Sequence, residues 1–177
     1  MANPMPVRVE LWPLAADDIG IWLISGDDAW RSGPVASDTE PHAEAELLAA
    51  MNLGPDTPAD LYHSTSWRTD DQSVILTYVA CFPYRGEFVR DTWQDALPIA
   101  ARMLEMVGRP IGHGAADPPT PRYIDVLMHA IRHLRFLKDS DGSARRAMTP
   151  AWRKHLAAWE PALSGMYCEA HPAAAAG

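Results

Sequence analysis

The chain has 177 residues, of which 47% are apolar and 21% are charged, and its formal net charge is −8. This composition is typical of a globular protein, and the length suits one domain that can bury a core without metal or disulfide staples. The acidic balance argues against a broad nucleic-acid surface, although one local cluster of Arg can still hold a small anion.

The two cysteines, Cys81 and Cys168, stand far apart and form no Cys-x-x-Cys pair, so neither a disulfide framework nor a zinc ribbon is expected. The first ten residues lack the apolar region of a secretory signal, and the longest mostly apolar run, VILTYVACF, is too short to span a bilayer. We therefore predict a cytoplasmic protein of a reducing compartment, with neither a membrane nor a nucleic acid as partner.

The first half of the chain predicts a sheet. Apolar and β-prone runs indicate strands at 7–14 and 20–25, and AWRSGPV indicates a further short strand. Strands at 61–68 and 73–82 are joined by the polar link TDDQ, which predicts a hairpin. The last of these strands is apolar almost throughout, so we expect it in the sheet interior, covered on both faces.

Strict alternation along the strand 61–68 divides its side chains between two faces. Leu61, His63, Thr65 and Trp67 are expected on one face, and Arg68 on the other. The hydroxyls of this strand are expected to be cross-strand partners, since no G-x-S-x-G elbow is present to expose a serine nucleophile.

One helix is predicted within this half, over about residues 40–51. The preceding residues SDT are good N-caps, Pro41 suits the first turn, and Asn52 suits a left-handed C-cap. The segment GPDTP then ends the helix.

The last third predicts helices at 94–108, 122–140 and 149–167, with the last interrupted near Pro161 and a short strand at EFVR before the first. A proline-rich linker precedes the second helix, whose apolar positions follow i, i+3, i+4, i+7 spacing. Those positions are Tyr123, Val126, Leu127, Ala130, Ile131, Leu134 and Leu137.

These elements predict an α+β fold, in which a mixed or antiparallel sheet packs against the 40–51 helix on one side and the C-terminal helices elsewhere. We expect one domain over 1–168, with mainly sheet plus one helix over 1–90 and mainly helix over 91–168. The tail at 169–177 is expected to be disordered.

The order of elements over residues 20–82 resembles the Nudix domain. The segment AELLAAMNLGPD stands where that family has its box helix, whose pattern ends R-E-U-x-E-E-x-G-U, and LYHSTSWRTDDQSVILTYVACFP looks like the following strand pair. The resemblance implies a Nudix-like fold with a C-terminal helical segment, a Mg²⁺ cofactor on the box helix, and nucleoside diphosphate derivatives as substrates.

The sequence departs from the Nudix pattern where the chemistry is carried. With Ala45-Glu46-Leu47 aligned on R-E-U, Ala49 and Ala50 occupy the positions of the two glutamates that hold Mg²⁺ in the family. Mg²⁺ requires oxygen ligands, which alanine lacks. The leading hypothesis is therefore a Nudix-like domain with a degenerate box that binds a nucleotide-like or other small anionic ligand without standard hydrolysis.

Residues on the long helix 122–140 are candidates for that ligand site. His129, Arg132, His133 and Phe136 form a stripe opposite the predicted core face, and an Arg and two His beside an aromatic ring can hold a phosphate and stack a base. The alternative is a solvated polar face. His113, in the preceding linker, and Arg68 complete the predicted ligand-binding set.

A second hypothesis keeps the protein an enzyme. It is then a divergent Nudix-type hydrolase with Glu44 and Glu46 as catalytic candidates and a metal held by His42, Glu44 and Glu46. The alternative is that these residues form a solvated acidic first turn. The segment His42-Ala43-Glu44 is also similar to the zinc deaminase motif, with Cys81 as a single thiolate.

A third hypothesis is a non-catalytic interaction module, such as a homodimer, that uses exposed tryptophans. The alternative for the tryptophans is one aromatic seam between sheet and helices. Its expected members are Trp12, Trp22, Trp30, Trp152 and Trp159.

Overall fold

The computed structural model of the protein describes residues 5–69, 72–84, 86, 88–106 and 122–163. Within these ranges, six strands form one sheet, accompanied by five α-helices and one 3-10 helix. The strands are β1 Val7–Ala16, β2 Ile21–Leu23, β3 Trp30–Arg31, β4 Leu61–Thr69, β5 Val74–Phe82 and β6 Leu97–Ile99. The helices are α1 Pro41–Leu53, α2 Val89–Thr92, α3 Tyr123–Ser140, α4 Gly142–Ala147 and α5 Pro150–Leu156, and the 3-10 helix spans Ala101–Met106.

The sheet is mixed, with strand order β4-β5-β1-β2-β6, and β3 pairs with β1 beside β2. Strands β1 and β5 run parallel, whereas the other pairs are antiparallel. The α+β class is confirmed, as is the β4–β5 hairpin. The interior position predicted for β5 is also confirmed, because β5 lies between β4 and β1.

Each sheet face carries its own apolar cluster, since neighbouring residues of a strand point to opposite faces. The cluster on the α1 face contains Val9, Leu11, Ala15, Trp22, Ala45, Leu48, Ala49, Ala80 and Phe82. The cluster on the α3 face contains Trp12, Leu14, Val79, Cys81, Leu127, Ile131, Leu134, Trp152, Leu156 and Trp159. The sheet therefore lies between α1 and the C-terminal helices, and it splits the predicted tryptophan seam in two.

Strand β4 contains a β-bulge that the sequence pattern does not predict. Its pairing with β5 shifts register between Ser64 and Ser66, so Thr65 is an extra residue in the ladder. Because side chains of a strand alternate between faces, one inserted residue exchanges the faces of all the residues after it.

The predicted grouping of Leu61, His63, Thr65 and Trp67 on one face is therefore wrong beyond the bulge. His63 lies on the sheet face that carries α3, and Arg68 joins it there instead of lying on the opposite face. Trp67 passes to the α1 face, and 70% of it is exposed.

The segment between β5 and α3 also differs from the prediction. The last two residues of the expected strand EFVR begin the short helix α2 instead. Within the expected helix 94–108, the described residues form a turn, strand β6 and the 3-10 helix. Pro98 lies in β6, which among the described strands is an edge strand paired with β2 alone, and an edge strand tolerates a residue without an N–H.

The ends of α1 are set by residues other than those predicted. Glu40 is the N-cap residue, directly before Pro41 in the first turn. Gly54, with φ of 87°, takes the positive-φ position after the helix. Asn52 stays helical, and its side-chain Nδ2 donates to the Leu48 carbonyl oxygen at 2.8 Å.

The final predicted helix, 149–167, is shorter than expected. Thr149 is the N-cap of α5, because its hydroxyl accepts from the Trp152 amide at 3.4 Å, but the helix ends at Leu156. The end of that prediction and the tail 169–177 lie outside the described residues. In the described part of the chain, no helix has both the length and the apolar character needed to cross a bilayer.

Candidate functional site

A groove of about 470 Å³ opens beyond the carboxyl end of β5. The parallel strand β1 ends at the same edge, since Ala15 pairs with Phe82. This is the edge at which open sheets with parallel strands commonly bind ligands. The groove is lined by Asp56, Thr57, Pro58, Pro83, Tyr84, Gly86, Thr92 and Trp93.

Two aromatic rings form the apolar part of the groove. The Tyr84 and Trp93 ring centroids lie 6.0 Å apart, and both rings pack against the apolar cluster on the α1 face. The Tyr84 hydroxyl donates to the Phe88 carbonyl oxygen, which fixes the ring. A Cβ at Gly86 would lie against the Tyr84 ring, so a side chain at this position would have to displace that ring.

The opposite wall of the groove is the turn that follows α1. The Thr57 hydroxyl donates to the Leu53 carbonyl oxygen at 3.2 Å, and the Thr57 amide donates to the Gly54 carbonyl oxygen at 3.3 Å. Asp56 and Pro58 are held by this turn at the rim. Hydrogen bonds to the C-terminal end of α1 therefore hold this wall of the groove in place.

Asp17, at the end of β1, connects this strand to α2 behind the groove. Its Oδ2 accepts from the Val89 amide at 2.9 Å, and its Oδ1 accepts from the Ile19 and Gly20 amides at 2.9 Å each. Burial acts to raise the pKa of Asp17, but the hydrogen bonds to its carboxylate, with that of the Val89 amide foremost, together outweigh it, so the pKa lies below its ordinary value of 3.8.

Replacing Asp17 with Ala is expected to lower the free energy of unfolding by about 2–3 kcal/mol at pH 7, because it leaves the buried Val89 amide and the two part-buried amides without this acceptor. A lowered pKa means that the carboxylate stabilises the fold above 3.8 and that this contribution is lost as the pH falls below that value. Urea unfolding of wild type and variant at pH 7 and pH 3 should show the difference shrinking at acid pH. Asp17→Asn, which keeps an acceptor oxygen, is the matched control, and an equal loss in both variants would contradict the assignment.

A buried carboxylate organises the α3 face near the start of β1. Glu10 is fully buried, and its Oε2 accepts from Arg68 at 2.6 Å and from Arg31 at 3.1 Å. Its Oε1 accepts from Arg68 at 2.9 Å and from the Trp12 indole at 3.1 Å. Arg68, predicted to contact a ligand, is therefore an internal ion-pair partner, and the bulge in β4 brings it there.

A histidine pair joins β4 to α3 on the same sheet face. The Nε2 atoms of His63 and His133 lie 3.3 Å apart, and the ring centroids are 4.9 Å apart. Burial lowers the pKa of His63, and the neighbouring His133 lowers it further. Burial also lowers the pKa of His133, against the opposing effect of its hydrogen bond with the backbone of Thr65, the bulge residue.

The other predicted ligand residues on α3 differ from His133 in their burial and contacts. Arg132 is only 9% exposed, and its Nε donates to the Glu160 carbonyl oxygen at 3.3 Å. Its own carbonyl oxygen accepts from the Ala162 amide at 3.3 Å, so it anchors the segment after α5. The stripe predicted on α3 is partly buried and does not lie opposite the core. Burial lowers the pKa of His129. His113 lies outside the described residues.

The predicted metal residues lie on the first turns of α1. The Nε2 of His42 and the Oε1 of Glu46 are 3.5 Å apart, and both side chains are exposed. Glu44 is half-buried on the same helix. Within the described ranges, no group of three or more His, Cys, Asp or Glu side chains converges as metal ligands would.

The zinc deaminase alternative requires His42 and Cys81 to approach one ion. The His42 ring lies against Tyr62 and Tyr78, on the α1 face, whereas Cys81 is buried in the cluster on the α3 face. Burial also raises the pKa of the Cys81 thiol. The sheet separates the two residues, so they cannot share a zinc ion.

The two alanines aligned with the Nudix glutamates have different surroundings. Ala49 is 1% exposed and packs in the cluster on the α1 face, together with Ala45 and Leu48. Ala50 is half-buried at the edge of the helix. The first of the two positions therefore faces apolar core.

Comparison of the chain with protein-family models, with curated proteins and with solved structures found no match. The sequence patterns do not predict Glu10, Tyr84 or Trp93 as functional residues. The signal for Tyr84 and Trp93 is that they flank a segment that contains Gly86 and follows Pro83.

Proposed function

We propose that the protein binds a small planar molecule in the groove beyond β5, without a catalytic role for the groove residues. The observation that carries this proposal is the pair of aromatic rings, Tyr84 and Trp93, at a concave site of about 470 Å³. Sites of this size that combine apolar or aromatic walls with a few polar groups are typical of small-ligand binding. Planar rings also offer a large contact area at a low cost in side-chain entropy.

The polar groups around the groove favour a particular kind of ligand. The Asp56 carboxylate and the hydroxyls of Thr57 and Thr92 can accept hydrogen bonds from a ligand. An aromatic face attracts cations, and a nearby carboxylate adds to this attraction. We therefore propose a neutral or cationic aromatic compound that carries N–H donors.

The nucleotide-like or anionic ligand expected from the Nudix resemblance remains a second proposal. A base can stack on Trp93, but the phosphates would require a cation. Among the predicted phosphate contacts, the guanidinium of Arg68 is occupied by Glu10, and Arg132 holds the Glu160 carbonyl oxygen. The two proposals therefore differ in the charge of the ligand, which a ligand panel can separate.

A panel of nucleosides, nucleotides and cationic aromatic compounds, read by thermal shift and calorimetry, is expected to yield ligands that bind the wild type. Trp93→Leu should then weaken binding by about tenfold, since it removes a stacking and cation-attracting face. Asp56→Asn should weaken cationic ligands more than neutral ones. Circular dichroism would check that the variants are folded.

Trp67→Leu is the matched control, because this tryptophan is exposed on an edge strand and does not line the groove. Equal affinity in Trp93→Leu and wild type would contradict the placement of the ligand. Tighter binding of nucleoside diphosphates than of the parent nucleosides would favour the anionic ligand instead.

A further inference from the structure

The His63–His133 pair lies on the opposite sheet face from the rings of the groove, and neither the groove nor the Glu10 network uses it. The two residues are 70 positions apart in sequence, and their Nε2 atoms approach to 3.3 Å across the contact between β4 and α3. Hydrogen bonds from N–H to oxygen usually fall at about 2.7–3.2 Å, so this separation lies at the long end of hydrogen-bonding distances. It matches the distance between two nitrogen ligands of one tetrahedral metal ion, about 3.3–3.4 Å for Zn–N bonds near 2.05 Å.

We propose that His63 and His133 form a two-histidine site for a divalent transition-metal ion that joins α3 to the edge strand β4. Imidazole nitrogen suits Zn²⁺, Ni²⁺, Cu²⁺ and Co²⁺, whereas Mg²⁺ takes oxygen ligands. Since no third protein ligand converges with the pair among the described residues, water or a small external ligand completes the coordination.

The surroundings of the two rings support metal binding. Both rings are half-buried, so each keeps a path to solvent while its orientation is restricted. The His133 ring also hydrogen-bonds to the Thr65 backbone, which restricts the orientation of the ring. Phe136 lies against the same ring, with centroids 6.2 Å apart, and covers one side of the site.

The β-bulge explains how the site is built. The register shift between Ser64 and Ser66 releases Thr65 from the regular ladder, and its backbone meets His133. Bulges commonly re-aim side chains beside functional sites. An ion at this position would connect the edge strand to the longest helix.

The test uses the full chain, freed of metal with a chelator and titrated with Co²⁺ and Zn²⁺ alone. Co²⁺ should bind with one equivalent per chain and give visible d–d absorption. Zn²⁺ at tenfold excess over its dissociation constant should raise the melting midpoint by about 3–6 °C, whereas Mg²⁺ should not. His63→Gln and His133→Gln should each abolish both effects.

Matched controls are available because the chain contains seven histidines. His129→Gln changes the residue one turn away on α3, and His42→Gln changes the exposed residue beside Glu46; both should retain the wild-type response. Retention of the zinc shift by His63→Gln, or its loss in His42→Gln, would overturn the proposal.

Two further measurements guard against a variant that fails to fold. His63→Cys replaces one metal ligand with another and should bind Co²⁺ with an added thiolate charge-transfer band, which a purely structural hydrogen bond would not produce. In wild-type protein labelled with ¹⁵N, Zn²⁺ should shift the imidazole nitrogens of two histidines only. An unchanged spectrum, or shifts spread over all histidines, would rule out the site.

Discussion

Replacing Glu10 with Ala is expected to lower the free energy of unfolding by about 3–5 kcal/mol and the melting midpoint by about 10 °C. The carboxylate is fully buried and accepts hydrogen bonds from Arg68, Arg31 and the Trp12 indole. Its removal leaves the guanidinium of Arg68 in a largely covered position without its counter-charge. Chemical and thermal unfolding at neutral pH would measure the effect.

The more exposed end of the same network gives the control. The Arg31 side chain is 47% exposed and also pairs with Asp28, so Arg31→Ala should cost only about 0–1 kcal/mol, as exposed ion pairs do. Glu10→Gln should fall between the two, because it keeps an acceptor for the Trp12 indole but loses the charge. A loss below about 1 kcal/mol in Glu10→Ala would mean that the cluster does not hold the sheet face together.

Replacing Ala49 with Glu, which restores one glutamate of the Nudix box, is expected to destabilise the protein by at least about 4 kcal/mol at pH 7. Ala49 is 1% exposed within the apolar cluster between α1 and the sheet, so a carboxylate there would lose its hydration without gaining a partner. Since burial raises the pKa of such a carboxyl, the penalty should shrink as the pH falls from 7 to 5. Urea unfolding at both pH values would show this trend.

Ala50→Glu is the matched variant, because its position is half-buried and a side chain there can reach solvent. It should change stability by about 1 kcal/mol or less. The double variant Ala49→Glu, Ala50→Glu tests the Nudix resemblance directly, since it supplies both missing carboxylates. A stable double variant that hydrolyses nucleoside diphosphate derivatives with Mg²⁺ would show that this helix presents the box as the family does.

The sequence by itself determined the main regular elements and the α+β class. Apolar periodicity and the positions of proline and glycine are signals carried by short segments of the chain. They predicted the bounds of β1, β4, β5, α1 and α3 to within a few residues. Where local signals were ambiguous, prediction failed. The segment around Pro98 has apolar residues that suit a helix or a strand, and only its pairing with β2 makes it β6.

The sites were decided by the tertiary structure. No local signal marks Thr65 as an extra residue, because a bulge exists only relative to the partner strand, yet it decides that Arg68 meets Glu10 rather than a ligand. Glu10 and Arg68 are 58 positions apart, and His63 and His133 are 70 apart. Side-chain patterns report the preference of each segment for water or core, whereas the partner of a buried charge or imidazole depends on how distant segments pack.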